Sequence, residues 1–130
     1  MTFLDTDICI AILRGKEPSL EERLQRVPIS KIALPSIVVA ELWVGVQKSM
    51  NPQNAERKLE IFLQDIPTIP FEAATAKKYG EIRTELERKG ITIGANDLLI
   101  AATALENGAR LVTRNHREYA RVEGLTVDVW

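Results

Sequence analysis

Phe3-Leu4-Asp5-Thr6-Asp7-Ile8-Cys9-Ile10-Ala11-Ile12-Leu13 sets two carboxylates into an otherwise apolar run near the start of the chain. Thr2 to Leu4 is short and β-compatible, the pattern of a buried strand. From Asp7 to Arg14 the periodicity is helical, and Gly15 terminates it. The acids therefore stand where a buried strand hands over to a helix. Burying an ionised carboxylate there costs several kcal/mol unless a countercharge or hydrogen bonds compensate. Asp7 reads as the cap of the helix. Asp5 still belongs to the strand, so capping does not account for it. The carboxyl end of a parallel strand is also where open α/β sheets bind their ligands.

The same alternation continues along the chain. A second helix is expected over Pro18–Arg26, opened by Pro18 and stopped by Pro28. Lys31–Leu34 reads as a second strand, with Pro35-Ser36 as a stop and an N-cap. The helix over Ile37–Ser49 has a single polar side chain, Glu41, among its first ten residues, a composition that predicts burial on more than one side. Its Val39, Leu42, Trp43 and Val46 are expected to form a subunit interface. Gln53–Gln64 is an amphipathic helix with Ala55, Leu59, Phe62 and Leu63 inward. Ile66–Ile69, flanked by prolines, reads as an edge strand. The helix over Glu72–Lys89 carries the stripe Ala76, Tyr79, Ile82 and Leu86 and closes at Gly90. A loop over Ile91–Asn96 leads into a nearly all-apolar, hence central, helix over Asp97–Glu106. Leu111–Thr113 is a fourth strand, followed by a polar turn and a last strand over Leu125–Val129. Strands alternating with helices at this spacing give an α/β fold around a mainly parallel sheet of four to five strands.

At 130 residues the chain is expected to form one domain over residues 1–130, large enough to hold together without a disulfide or structural metal. Hydrophobic residues make up 45%, but no apolar run approaches the roughly 20 residues that cross a bilayer. No secretion signal is read at the start, because Asp5 and Asp7 interrupt the first apolar segment. The one cysteine, Cys9, reads as a buried thiol, and the expected location is the cytoplasm. A net charge of −1 does not advertise nucleic-acid binding, although a site that gathers carboxylates for a cation lowers the charge of the apoprotein.

Asp5, Glu41 and Asp97 each begin or interrupt an apolar element, and they are the candidate site. Glu41 has only Ile37, Val38, Val44 and Gly45 at its helical neighbour positions and so needs a partner, either an arginine or a metal. Asp97 falls in the first turn of its helix, where the macrodipole favours an anion. A set of three or four oxygen ligands suits Mg²⁺ or Mn²⁺, whereas Cys9 and His116 alone do not make a zinc site. Such a cation supports phosphodiester hydrolysis, with a carboxylate to orient or deprotonate the attacking water. Thr6 and Thr113 are expected to hydrogen-bond the acidic cluster. Arg114, Arg117 and Arg121, with His116, form the local basic patch expected to contact substrate phosphates.

Leu4-Asp5-Thr6-Asp7-Ile8-Cys9-Ile10, Ala40-Glu41-Leu42 with Gly45-Val46, Ile93 to Ala101, and Leu111-Val112-Thr113-Arg114-Asn115 with Arg117-Glu118-Tyr119 together resemble the PIN-domain ribonuclease toxins of the VapC family. The resemblance runs over essentially the whole chain. It implies a three-layer α/β/α PIN fold, an endoribonuclease dependent on Mg²⁺ or Mn²⁺, and Asp5, Glu41 and Asp97 as the acidic core. It also implies a homodimer and a VapB-like antitoxin that inhibits the toxin and joins it on operator DNA. Two positions depart from the pattern. Asp7 stands where relatives most often carry Asn, and Asn115 stands where many PIN domains place a fourth acid, with Glu118 the nearest substitute. The alternatives are a Mg²⁺-binding receiver-like signalling domain, disfavoured because Lys31 begins its strand instead of ending it, and a catalytically inactive PIN binding module.

Overall fold

In the computed structural model, which describes residues 1–130, Phe3, Leu4, Ala33, Leu34, Leu111 and Val112 have no exposed surface. Consecutive strand residues point to opposite faces, so a strand buried at successive positions is covered on both sides. That pattern requires helices above and below the sheet, the three-layer α/β/α arrangement. The strands are β1 (Thr2–Leu4), β2 (Ile32–Pro35), β3 (Thr68–Ile69), β4 (Arg110–Thr113) and β5 (Val127–Val129). They form one sheet in the order β3-β2-β1-β4-β5, and every pairing is parallel. β1 is central, with Phe3 opposite Ala33 on one side and Leu111 on the other. β3 lies at one edge, where its flanking prolines cost no ladder bond.

The helices are α1 (Thr6–Arg14), α2 (Pro18–Gln25), α3 (Ser36–Gln47), α4 (Pro52–Leu63), α5 (Ala73–Arg88), α6 (Ala95–Glu106) and the short α7 (His116–Tyr119). A 3-10 turn over Ile29–Lys31 precedes β2 and occupies part of the span expected to be strand. α1 ends at Gly15, whose φ of 65° lets its N–H reach back to the carbonyls of Ala11 and Ile12. Ser36 is not a cap: Pro35 holds that position without a side-chain bond, and Ser36 is already helical. Asn51 caps α4 by accepting from Asn54 N–H at 3.3 Å.

α6 is central, as its composition predicted, with Leu98 and the whole stretch Ile100 to Ala104 buried. α3 differs from expectation. Only Val38, Leu42 and Val46 are buried, one stripe at four-residue spacing, while Ala40, Val44 and Gly45 face outward. Leu42 and Val46, expected at a subunit interface, instead pack into the chain's own core, and Val39 and Trp43 lie half-buried against it. In α5 the inward position belongs to Thr75, and Ala76 is exposed. Apolarity over ten residues does not distinguish a buried helix from one whose outer face is simply small and apolar.

Candidate active site

The order of the sheet reverses at β1, which places a crevice beyond the carboxyl ends of β1 and β4. Asp5 stands at its floor. Its N–H still donates to the Val112 carbonyl at 2.9 Å, continuing the ladder, while its side chain caps α1 by accepting from Thr6 N–H at 2.8 Å. Asp5, and not Asp7, is therefore the N-cap. Asp5 as a residue remains buried, with a relative exposure of 5%.

A chain of hydrogen bonds runs outward from Asp5. Thr113 Oγ1 donates to Asp5 Oδ2 at 2.6 Å and accepts from Asn115 N–H at 2.9 Å. Asn115 Nδ2 donates to Asp97 Oδ2 at 3.1 Å. The Tyr119 hydroxyl lies between the two acids, 3.2 Å from Asp97 Oδ1 and 3.3 Å from Asp5 Oδ1, and gives its single proton to one of them at a time, the shorter contact being to Asp97. Glu41 joins from α3 through Thr6, whose Oγ1 donates to Glu41 Oε1 at 2.7 Å. β1, α3, α6, the β4–α7 loop and α7 thus each contribute to one site. The expected support from Thr6, Thr113 and Asn115 is present as direct hydrogen bonds.

Burial pushes the Asp5 carboxyl up to about 6 against the hydrogen bond from Thr113, and the charges of Asp7 and Asp97 push it the same way. Asp97 is also raised, first by burial and then, against the Tyr119 hydrogen bond, by the charges of Glu41, Glu118 and Asp7. Five carboxylates consequently share one field. No lysine, arginine or histidine pairs with any of them, because the six ion pairs of the chain all lie elsewhere. Uncompensated buried charge with hard oxygen donors fits a divalent cation. No three of the chain's His, Cys, Asp and Glu side chains are drawn together at metal-ligand spacing. The carboxylates instead rest on neutral hydroxyl and amide donors.

Asp7 lies in the first turn of α1, with Oδ1 accepting from Ile8 N–H at 2.7 Å and Oδ2 from Arg114 N–H at 3.0 Å. It latches the loop that carries Thr113 and Asn115. Asp7→Asn must turn an amide N–H toward one of these two donors whichever way it flips. A loss of about 1–2 kcal/mol is expected, read as a lowered urea midpoint.

The expected basic patch does not hold together. Arg114 turns its guanidinium to Glu17, and Arg121 sits beside Lys78, Glu85 and Lys89 of α5, near Leu105 at the far end of α6 from Asp97. Arg117 and His116 are exposed on α7. Positive charge borders the acids from another direction. A hollow of about 540 Å³ reaches Glu41 between α1, α3 and α4, and an adjoining one of about 600 Å³ reaches Asp7. They share Arg14 and Lys16, Lys58 lines the first, and Arg114 lines the second beside Asp7. Arg14, Lys16 and Lys58 went unnoticed in the sequence because their charge is scattered between acids. Tyr119 was also missed; its signal was an aromatic in a polar turn, whose hydroxyl needs a partner once buried.

The PIN domain family model matches residues 2–125. The chain is 43% identical to "Ribonuclease VapC2" of Rickettsia felis over 128 residues, covering 98% of this chain and 96% of that protein. It is 37% identical to "tRNA(fMet)-specific endonuclease VapC" of Shigella flexneri, with the same coverage. Among solved structures it resembles that of VapBC2 from Rickettsia felis bound to a DNA fragment from their promoter. The TM-score is 0.93 at 41% identity, over 99% of this chain and 98% of that one.

Proposed function

This chain belongs to the PIN domain family, as a VapC ribonuclease of a toxin-antitoxin system, and we propose that it hydrolyses RNA with a Mg²⁺ or Mn²⁺ ion held by Asp5, Glu41 and Asp97. The observation that carries this reading is the crevice of unpaired carboxylates, fixed from several elements and free of any protein cation. When bound, the ion supplies charge neutralisation at the scissile phosphate and lowers the cost of ionising the attacking water. Thr113 and Thr6 orient Asp5, Thr6 fixes one oxygen of Glu41, and Asn115 and Tyr119 hold Asp97. Glu41 Oε2 has no protein donor and stands as the acceptor for the proton of the attacking water. Asn115 cannot take that role, since an amide is not a base, and Glu118 adds negative charge beside Asp97. Arg14, Lys16 and Lys58, with Arg114 in the same hollow as the first two, are read as the contacts for RNA phosphates entering along the groove, in place of Arg121.

By analogy with the Rickettsia felis complex, the partner is a VapB-like antitoxin, and operator DNA is bound through the complex. A homodimer and a cytoplasmic location are read from the family resemblance. No helix is long and apolar enough to cross a membrane. Lys31 lies before β2, at the end of the sheet opposite the acids, so a receiver-like phosphorylation site lacks its lysine.

The test is purified toxin with structured RNA in Mg²⁺, in EDTA, and as Asp97→Asn. Losing one carboxylate of the set proposed to hold the ion forfeits the charge stabilisation that the ion supplies, about 3–5 kcal/mol or roughly 10²–10⁴-fold in rate. Cleavage is expected in Mg²⁺ and not in EDTA, and Asp97→Asn is expected to lose it by that factor. Cleavage that persists in EDTA rules out the cation, and none under any condition points to a binding module.

A further inference from the structure

The ring of Tyr119 is fully buried against the core, a space that phenylalanine would fill equally well. Its hydroxyl is thus not needed for packing. A buried phenol ordinarily meets a backbone carbonyl or water. Here both neighbours are carboxylates, one from the β1–α1 junction and one from α6. The other oxygens of that pair have their own donors: Asp5 Oδ1 has Thr6 N–H, Asp5 Oδ2 has Thr113, and Asp97 Oδ2 has Asn115. Asp97 Oδ1 has the Tyr119 hydroxyl alone. Asp97 is also the more solvent-exposed of the two carboxylates and hence the freer to rotate. Without the phenol it would hang on the single bond from Asn115.

We infer that Tyr119 is a positioning residue, whose hydroxyl sets Asp97 at a fixed orientation to Asp5 and so raises the affinity of the pair for a divalent cation. The inference rests on the reading above that these two carboxylates hold the ion. Outer donors of this kind orient ligands without touching the ion, and their loss typically weakens metal binding by about 10–100-fold. The ring stays, so the fold stays; what is lost is the pre-set angle of one carboxylate.

Mn²⁺ binding to the purified full chain, followed by calorimetry and by the electron-spin signal of free Mn²⁺, tests this with Tyr119→Phe. Tyr79→Phe serves as the control, because Tyr79 pairs with Arg83 on α5 and lies outside the site. The expected result is a dissociation constant raised about tenfold or more in Tyr119→Phe. Tyr79→Phe is expected to match wild type, and the metal-free melting temperatures are expected to differ little. The chain has only two tyrosines, which permits a second measurement that needs no variant at the site. With ring-¹³C tyrosine, the Cζ resonance of Tyr119 is expected to move on Mg²⁺ addition with the midpoint of binding, while that of Tyr79 stays still. Unchanged Mn²⁺ affinity in Tyr119→Phe, or a Tyr119 Cζ signal indifferent to bound Mg²⁺, overturns the inference and leaves the cation site standing. Failure of wild type to bind Mn²⁺ overturns both.

Discussion

Asp5→Asn is expected to abolish RNA cleavage and, in the same preparation, to leave the metal-free protein as stable as wild type or more so at neutral pH. The two effects have one cause. Asp5 is an ionised group in a buried place, pushed up to about 6 by burial and by its acidic neighbours, so its charge is held against the fold's own preference. Asparagine serves as well as aspartate at an N-cap and can still accept from Thr6 N–H through its carbonyl. Thr113 Oγ1 can rotate to accept from the amide in place of donating to the carboxylate. Removal of the charge is therefore worth up to about 2–3 kcal/mol to the metal-free fold. The same removal takes away one of the carboxylates proposed to hold the ion at the switch point of the sheet, and a loss of about 10²–10⁴-fold in cleavage is expected. Cleavage assays on the RNA that wild type cuts, paired with urea unfolding in EDTA, read both numbers. A variant that is inactive because it is unfolded would refute the explanation, as would an active one.

The fold was largely legible because each of its elements announces itself locally. Buried strands such as Leu111-Val112 are short and apolar, and Gly15 can end a helix only by taking a positive φ. Asp5 and Asp97 stood out for the opposite reason, since Asp5 falls between the buried Leu4 and Ile8 and Asp97 directly precedes the buried Leu98, whereas Glu41 was singled out on the apolarity of Val44 and Gly45, which the fold leaves exposed. Contacts between distant elements were not legible. That Asp5 caps α1 depends on where the ladder with β4 stops, which a bond to Val112 decides. That Asp7 faces Arg114 N–H depends on the path of the β4–α7 loop. Proximity in sequence misled for Arg121: the short α7 turns the chain, so Arg121 lies against α5 while Arg114 stays in the hollow beside Asp7. α3 misled through composition, since Val44, Ala40 and Gly45 are apolar without being covered.

The second large effect is a pH and cation dependence of stability that reverses the usual behaviour of an acidic group. A carboxylate with a lowered folded pKa adds stability above its unfolded pKa. Asp5 is raised from 3.8 to about 6, so the folded state binds more protons than the unfolded one between those values. Stability of the metal-free protein is therefore expected to fall as pH rises through that window, by about 2–3 kcal/mol from Asp5. It should level off above, and Asp97, raised for the same reason, acts in the same direction. Glu17 is lowered by its hydrogen bond from Arg114 and opposes this, but it lies in solvent and contributes little. A cation binds the ionised acids, so Mg²⁺ at about a hundred times its dissociation constant should restore about 2.7 kcal/mol at neutral pH. It should restore almost nothing at about pH 4, where Asp5 in the folded chain is protonated. Urea midpoints of wild type and Asp5→Asn, taken across that range with Mg²⁺ and with EDTA, separate this contribution from every other titrating group. The difference between the two proteins in EDTA should grow from near zero to its full value as pH rises, and Mg²⁺ should shrink it. Parallel curves for the two proteins would mean that Asp5 is no more strained than a surface acid, and the case for a cation at the end of β1 would lose its electrostatic basis.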